Sequence, residues 1–600
     1  MRVADYIFKY FADRGVRHVF LVTGGGAMFL NDALGREKRL KYVCNLHEQA
    51  CAIAAEGYAR LTGTPGVVSV TTGPGGTNAL TGVAGAWLDS IPMLIISGQI
   101  KRETCMAFHP ELKIRQLGDQ ELNIVDVVRP ITKYAALVRN AEDIRYELEK
   151  AWFLCQNGRP GPVWLDIPLD IQSATVDDSA LRGYSPEPEQ LLPGIPERQM
   201  SDITEKLLKA KRPAIIAGSG VRHSGAAGLL RKLAEKHRIP LLTSISGIDL
   251  VESDHPLFSG RPGILGERGA NFIMQNSDFL LVIGTRMGLR IIGYAYDKVA
   301  REAYKVMVDA DAGELQKPTF RPDTGVHGDA GEFLEKLLAK LPGDFQSSQE
   351  WIDYCRRVKK RYPVVTAEHR NRTDYVSTYA FAEFVGKQCP AGSVVVTGNG
   401  VAYTSTFQAI PVREDMRVFA NQACASMGYG LPAAIGAAFA GDGREVICLT
   451  GDGSLQMNIQ ELQTLKNHDL PVKLFVYNNG GYLSIKLTQR AFFDGRFVGS
   501  ESGSGVELPD LEKIAAAYGI PFERFSSNAE AEAGLQRVFS RSGPVIIEVM
   551  TDPFEHLSPK ASSRQLPDGR IVSAPLEDLA PFLPDEEFEE NMLIPSEREI

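Results

Sequence analysis

The sequence predicts an α/β protein of three doubly wound parallel-sheet domains, and three observations carry that prediction. Short apolar, β-branched runs alternate with helix-length segments along the chain, the pattern of strands buried on both faces by crossover helices. Most of these runs end in glycine or another turn residue, where a strand hands over to a helix. Stretches rich in proline and charge break the rhythm twice, and 600 residues is a length for about two to four domains at ~150 residues each.

In chain order the runs are VVSVTT (67–72) and MLIISG (93–98), then AIIAGSG (214–220) and FLLVIGT (279–285), then VVVTGNG (394–400), VICLTGDG (446–453) and LFVYNN (474–479). The polar stretches 185–199 and 341–365 read as linkers. Domains are therefore expected over 1–184, 200–342 and 365–552. The segment 553–600 is Pro-rich and then acidic (PDEEFEEN). Such a tail adds little core and is expected either disordered or laid as an arm on a neighbouring surface.

Acidic residues outnumber basic ones, 74 to 65, with no Lys/Arg run, so the electrostatic footprint of a nucleic-acid partner is missing. The opening MRVADYIFKYFADRGV is amphipathic and charged, and no stretch reaches the ~18 apolar residues of a membrane span. A cytoplasmic protein without a membrane partner is expected. The eight cysteines are scattered and show no CxxC spacing, which suggests buried reduced thiols rather than a disulfide framework or a zinc site.

The strongest chemical signal is Gly451-Asp452-Gly453-Ser454, then 24 residues from Ser454 to Tyr477, then Asn478-Asn479. A hard divalent cation such as Mg²⁺ takes oxygen ligands in octahedral geometry and commonly shares them with phosphates. Asp452 and Asn479, each at the carboxyl end of a strand, can supply two such oxygens, and strand ends are where open α/β sheets bind ligands. Either fragment alone reads as an ordinary turn; their order and spacing together resemble the thiamine diphosphate-binding motif. The resemblance implies Asp452, the Asn479 side chain and the Gly481 backbone carbonyl as metal ligands, with Gly398, Asn399, Gly451, Gly453, Ser454 and Tyr482 around the cofactor.

A second signal is His47-Glu48-Gln49-Ala50, where a strand-like YVCN runs into a helix of small residues. Alone, Glu48 reads as an acidic residue favoured in a first helical turn. Thiamine chemistry gives it another use, because a carboxyl bonded to the aminopyrimidine ring promotes loss of the thiazolium C2 proton. A small-residue apolar setting suits that use, since desolvation favours a neutral carboxyl.

HEQA with EGYAR, the Gly-rich run 73–78, IPMLIISGQ, a central domain, MGYGLPAAIGA (427–437) and GDG…NN follow in one order. In this the chain resembles the acetohydroxyacid synthase branch of the pyruvate oxidase-like family. The resemblance implies Glu48 as the activating glutamate and Met427 as the bulky residue beneath the cofactor. It implies Pro74 and Asn78 beside the cofactor, and Gly25, Gly26 and Gln120 on the substrate side. It implies a homodimer or homotetramer with active sites between subunits.

For the central domain the resemblance implies a bound FAD with no redox role, near Gly218, Arg286, Arg290, Asp309 and Asp311. A lone GxG after a strand is weak evidence for that, and helix packing explains Gly218 as well. The family's Arg-Phe-Asp-Asp-Arg pattern keeps both arginines here but has Gly288 and Leu289 between them. Asp119 stands where the family has Phe, and Thr488 aligns without gaps to a Trp tied to acceptor choice. The implied activity is decarboxylation of pyruvate and transfer of the two-carbon unit to a second carbonyl. The departures leave open a larger ketone such as a keto-sugar nucleotide as acceptor, and simple 2-oxo acid decarboxylation stays as an alternative.

Overall fold

The computed structural model describes residues 1–441, 443–565 and 571–597. Three parallel sheets follow one another along the chain. The first holds β1 (His18–Leu21), β2 (Lys41–Cys44), β3 (Gly66–Val70), β4 (Met93–Gln99), β5 (Tyr134–Leu137) and β6 (Pro162–Pro168). The central sheet holds β7 (Pro213–Ala217), β8 (Leu241–Thr243), β9 (Phe279–Ile283), β10 (Tyr304–Asp309) and β11 (Thr324–His327). The third holds β12 (Val394–Thr397), β13 (Arg417–Phe419), β14 (Val446–Gly451), β15 (Val472–Asn478), β16 (Phe522–Phe525) and β17 (Val545–Met550). The doubly wound parallel architecture expected from the apolar runs is the one observed.

The lateral orders are β2-β1-β3-β4-β6-β5, β11-β10-β9-β7-β8 and β13-β12-β14-β15-β17-β16. Counted from its own first strand, the third sheet repeats the order of the first. In every sheet the winding reverses between the first and third strands of the domain, and in open α/β sheets the crevice outside the strand ends at such a reversal is where ligands bind. The fold therefore offers three crevices, after β1/β3, after β7/β9 and after β12/β14.

Strands such as β4, β6, β7 and β9 are buried at every position, which is why they read as continuous apolar runs. The first and third domains meet where the helix Glu48–Thr62 crosses Gly430–Ala440. A Cβ on Gly436 would stand 1.9 Å from the Ala54 carbonyl oxygen, so this crossing depends on backbone meeting backbone.

Two expectations need correction or sharpening. The stretch 341–365 is not a linker through most of its length: Gln349–Arg361 is a helix that buries Trp351, Ile352, Tyr354, Cys355 and Val358. Its Trp351 indole donates to the Pro213 carbonyl at 2.9 Å, tying it to the central sheet. Its charged residues lie on the other side of a helical repeat, so polar composition hid an amphipathic period. The tail starts on the third domain, where Glu555 accepts the Thr378 N–H at 3.1 Å, and from 575 to 596 it is an arm on the central domain. Leu576, Leu579, Phe588 and Ile594 are buried, Arg268 donates to the Leu579 carbonyl at 3.0 Å, and Arg301 pairs with Glu577 at 2.8 Å. Residues 566–570 and 598–600 lie outside the described residues.

Asp166 on β6 is buried, accepting from Ser97 Oγ at 2.5 Å and Gln99 Nε2 at 3.0 Å. Burial pushes its carboxyl up to about 7, against the pull of those two donors. Between its ordinary value of 3.8 and that raised value the folded chain holds a proton the unfolded chain has lost, so stability falls as pH rises through this window. Asp166→Asn should remove that dependence. Urea midpoints at pH 5 and pH 8 are expected to differ less in the variant than in the parent, and equal slopes would clear Asp166 of the role.

Candidate functional site

The crevice of the third sheet is built from the ends of β12, β14 and β15. Gly451 closes β14, and Asp452 begins a short helix with its carboxylate buried. Asp452 Oδ1 accepts the Gly453 N–H at 2.7 Å, and Oδ2 accepts the N–H groups of Asn479 and Gly481, each at 3.1 Å. Burial raises this carboxyl to about 6 and those backbone donors pull it down. Asn479 Oδ1 is buried with no hydrogen-bond partner among the described residues. An unpartnered amide oxygen beside a carboxylate is a donor set that fits a hard divalent cation.

Around it, Gly398 and Asn399 follow β12, and Asn399 Nδ2 donates to the Ser426 carbonyl at 2.6 Å. Ser454 Oγ accepts the Gly428 N–H at 3.0 Å, fixing the loop that carries Met427. Met427 is 42% exposed, so it is not an ordinary core methionine. The Tyr482 ring covers Gly453, where a Cβ would stand 2.3 Å from it.

The crevice of the first sheet gathers the second set. Glu48 opens its helix with its side chain buried, and Asn78 Nδ2 donates to Glu48 Oε2 at 3.0 Å. Pro74 is the first residue of the short Pro74–Asn78 helix. Gly26 lies against the Thr72 hydroxyl, while Gly25 faces open space. Gln120, at φ +61°, brings its carbonyl over Gly73, where a Cβ would stand 2.4 Å away. Glu48, Asn78, Gly25, Gly26 and Gln120 thus assemble from four separate segments.

Among the described residues no hydrogen bond joins Glu48 or Asn78 to Asp452 or Asn479, although the loop before Glu48 is tied to the third domain, Asn45 Nδ2 and the Leu46 N–H donating to Glu461 at 2.8 and 2.9 Å. Each set is flanked by large exposed apolar side chains, Tyr42 and Leu46 beside the first, Met427, Met457 and Ile485 beside the second.

The central crevice opens into a cavity of about 600 Å³ lined by Ser219, Gly220, Arg286, Arg290 and Asp309, with walls from both other domains. Arg290 lies 5.3 Å over the Tyr403 ring of the third domain. Asp309 is pushed up to about 6 by burial. Gly218 is used by packing, since a Cβ there would stand 2.4 Å from the Gly284 carbonyl oxygen. Asp311 is taken by Arg159 at 3.0 Å. Neither lines the cavity.

Sequence reasoning missed Lys486, which is buried and donates to the Asn479 carbonyl at 2.8 Å. It also missed a charged cluster behind the sites. Glu56 accepts from Tyr429 at 2.5 Å and pairs with Arg60 at 2.6 Å, and Arg60 reaches Asp89 at 2.6 Å. The GYAR run held Arg60 in plain view, but nothing local showed its partners. Thr488 sits on the helix Leu483–Phe492, exposed, with its hydroxyl donating to the Ser484 carbonyl at 3.0 Å. Asp119 is exposed.

Three thiamine pyrophosphate enzyme families match in chain order: the N-terminal TPP binding domain over 1–121, the central domain over 200–337 and the C-terminal TPP binding domain over 398–549. The chain is similar to the acetolactate synthase isozyme 1 large subunit of Escherichia coli (strain K12), 31% identical over 93% of this chain and 95% of that protein. It is similar to the acetolactate synthase large subunit of Lactococcus lactis, at 31% with 93% of each covered. The probable chloroplastic acetolactate synthase 2 of rice is 32% identical over 93% of this chain and 84% of its own length.

Proposed function

Because the chain belongs to the acetolactate synthase family of thiamine pyrophosphate enzymes, we propose that it decarboxylates pyruvate and joins the two-carbon unit to a second pyruvate, as an acetolactate-forming carboligase. The observation that carries the chemistry is the buried, partnerless Asn479 Oδ1 beside the Asp452 carboxylate. Thiamine diphosphate, when bound, supplies the nucleophilic carbon and the electron sink for both steps.

The chain's own residues prepare the site. Asp452, Asn479 Oδ1 and the Gly481 carbonyl would hold Mg²⁺ and through it the diphosphate, and the turns at Gly398–Asn399 and Gly453–Ser454 line the place for the phosphates. Glu48 would hold a proton at a ring nitrogen of the aminopyrimidine. One of its oxygens is committed to Asn78, which fixes its orientation. Met427 offers an apolar prop for the cofactor, and Gly25, Gly26, Pro74 and Gln120 shape the substrate side.

In this reading the active unit is a homodimer, and the exposed apolar side chains Tyr42, Leu46, Met457 and Ile485 are available to it. FAD would fill the central cavity, whose size suits a large ligand and whose Arg286, Arg290 and Asp309 offer charge to it. Among the described residues no helix is long and apolar enough to cross a membrane, and a cytoplasmic place accompanies the reading. The relatives are named for acetolactate synthesis, which favours pyruvate as acceptor over a larger ketone or a proton.

The test is incubation of the purified chain with pyruvate, thiamine diphosphate and Mg²⁺, with carbon dioxide release and product mass both followed. Acetolactate is expected. Carbon dioxide with acetaldehyde alone would replace carboligation by simple decarboxylation, and no carbon dioxide would remove the reading. Flavin absorption in the isolated protein checks the FAD.

A further inference from the structure

Lys486 stands at a core position of the helix Leu483–Phe492, 1% exposed. Its nearest charged partner, Glu501, is 3.9 Å away, and its Nζ lies 5.2 Å over the Phe554 ring. A buried ammonium costs several kcal/mol unless its hydrogen bonds compensate, so an apolar side chain would serve packing better here. Among the described residues its hydrogen bond goes to the main-chain carbonyl of Asn479, at 2.8 Å.

That bond completes the hold on the Asn479–Gly481 turn. From one side Asp452 Oδ2 takes the N–H groups of Asn479 and Gly481; from the other Lys486 takes the Asn479 carbonyl. Gly481 is at φ +140°, where a Cβ would stand 2.2 Å from the Ser500 carbonyl oxygen, and the Tyr482 N–H donates to that same oxygen at 2.8 Å. Both main-chain polar groups of Asn479 are thus committed, and its side-chain Oδ1 is buried without a hydrogen-bond partner among the described residues.

We propose that Lys486 is a positioning residue of the cation site, setting the Asn479–Gly481 turn so that Asn479 Oδ1 and the Gly481 carbonyl face the ion. The inference rests on the reading of Asp452, Asn479 and Gly481 as the Mg²⁺ ligands. It also has a definite sign. Coulomb repulsion between the ammonium and the ion would make binding tighter once the charge is removed. Loss of the anchor makes it weaker, as for other groups that orient metal ligands.

The experiment uses Mn²⁺ as a spin probe, with binding to the full chain followed by electron paramagnetic resonance in the presence of thiamine diphosphate. Lys486→Met is expected to bind Mn²⁺ about 10–100-fold more weakly than the parent, the usual effect of losing a residue that orients a metal ligand. Lys486→Arg, which keeps a donor at the end of a long side chain, is expected to restore most of the affinity. If the methionine chain does not fold, Lys486→Gln is measured instead, with its circular dichroism matched to the parent. Equal or tighter Mn²⁺ binding in the methionine or glutamine chain overturns the proposal. So does an arginine chain as weak as the methionine chain, because that pattern belongs to packing alone. A parent that binds no Mn²⁺ under these conditions fails the ligand reading itself, which separates the two.

Discussion

Asp452→Ala is expected to abolish binding of both Mg²⁺ and thiamine diphosphate. In the proposed ligand set Asp452 would be the one anionic oxygen beside an amide and a carbonyl, and a hard divalent cation depends on that charge. The same carboxylate accepts the N–H groups of Gly453, Asn479 and Gly481. Alanine therefore also leaves three buried donors without an acceptor, each costing about 1–3 kcal/mol. Loss of affinity should exceed the roughly 100-fold that removing an outer support alone can cause. Asp452→Asn separates the two effects: it keeps the shape and an acceptor, so its thermal midpoint should stay nearer the parent while metal binding is still lost. The measurement is a titration with thiamine diphosphate at fixed Mg²⁺. Unchanged affinity in the alanine chain would remove Asp452 from the site.

Glu48→Gln is the complementary case, with large loss of turnover and little loss of binding. The amide fills the same volume and can still accept from Asn78 Nδ2, which now reaches Glu48 Oε2 at 3.0 Å. It cannot exchange a proton with a ring nitrogen as a carboxyl can. Such proton management is worth about 10²–10⁴ in rate, so kcat should fall by that much while cofactor affinity stays within a few-fold of the parent. More than half the parent rate would sink the assignment.

Local patterns made the fold class readable. A strand buried on both faces, such as β4 or β9, is apolar at consecutive positions and needs no partner to be recognised. The Asp452 and Asn479 set was readable because each follows one of two adjacent strands, β14 and β15, so the spacing is fixed by the helical crossover between them. The Gln120 turn was harder, for it depends on Gly73, far away in sequence, giving up a side chain to let the Gln120 carbonyl close in. Lys486 could not be read at all. A lysine in a helix is ordinarily solvated, and only the fold shows its ammonium beneath Asn479. The helix Gln349–Arg361 failed for the opposite reason, because its charge density drew attention from the buried face of Trp351, Tyr354 and Val358.

The arm at 575–596 also bears on the order in which the molecule can be made. The central sheet has its last strand at Thr324–His327, yet Phe272 finds its neighbour Phe588, with ring centroids 5.9 Å apart, only after some 250 further residues. At about 5–20 residues per second on the ribosome, the central domain waits roughly ten to fifty seconds with that face uncovered. During that interval Phe272, Asn276 and Tyr354 lack the arm that later packs against or bonds them. The middle of this protein is therefore finished last, after both flanking sheets have emerged. A nascent chain arrested before the arm should bind holdase chaperones through its middle third, and one arrested after the arm should not.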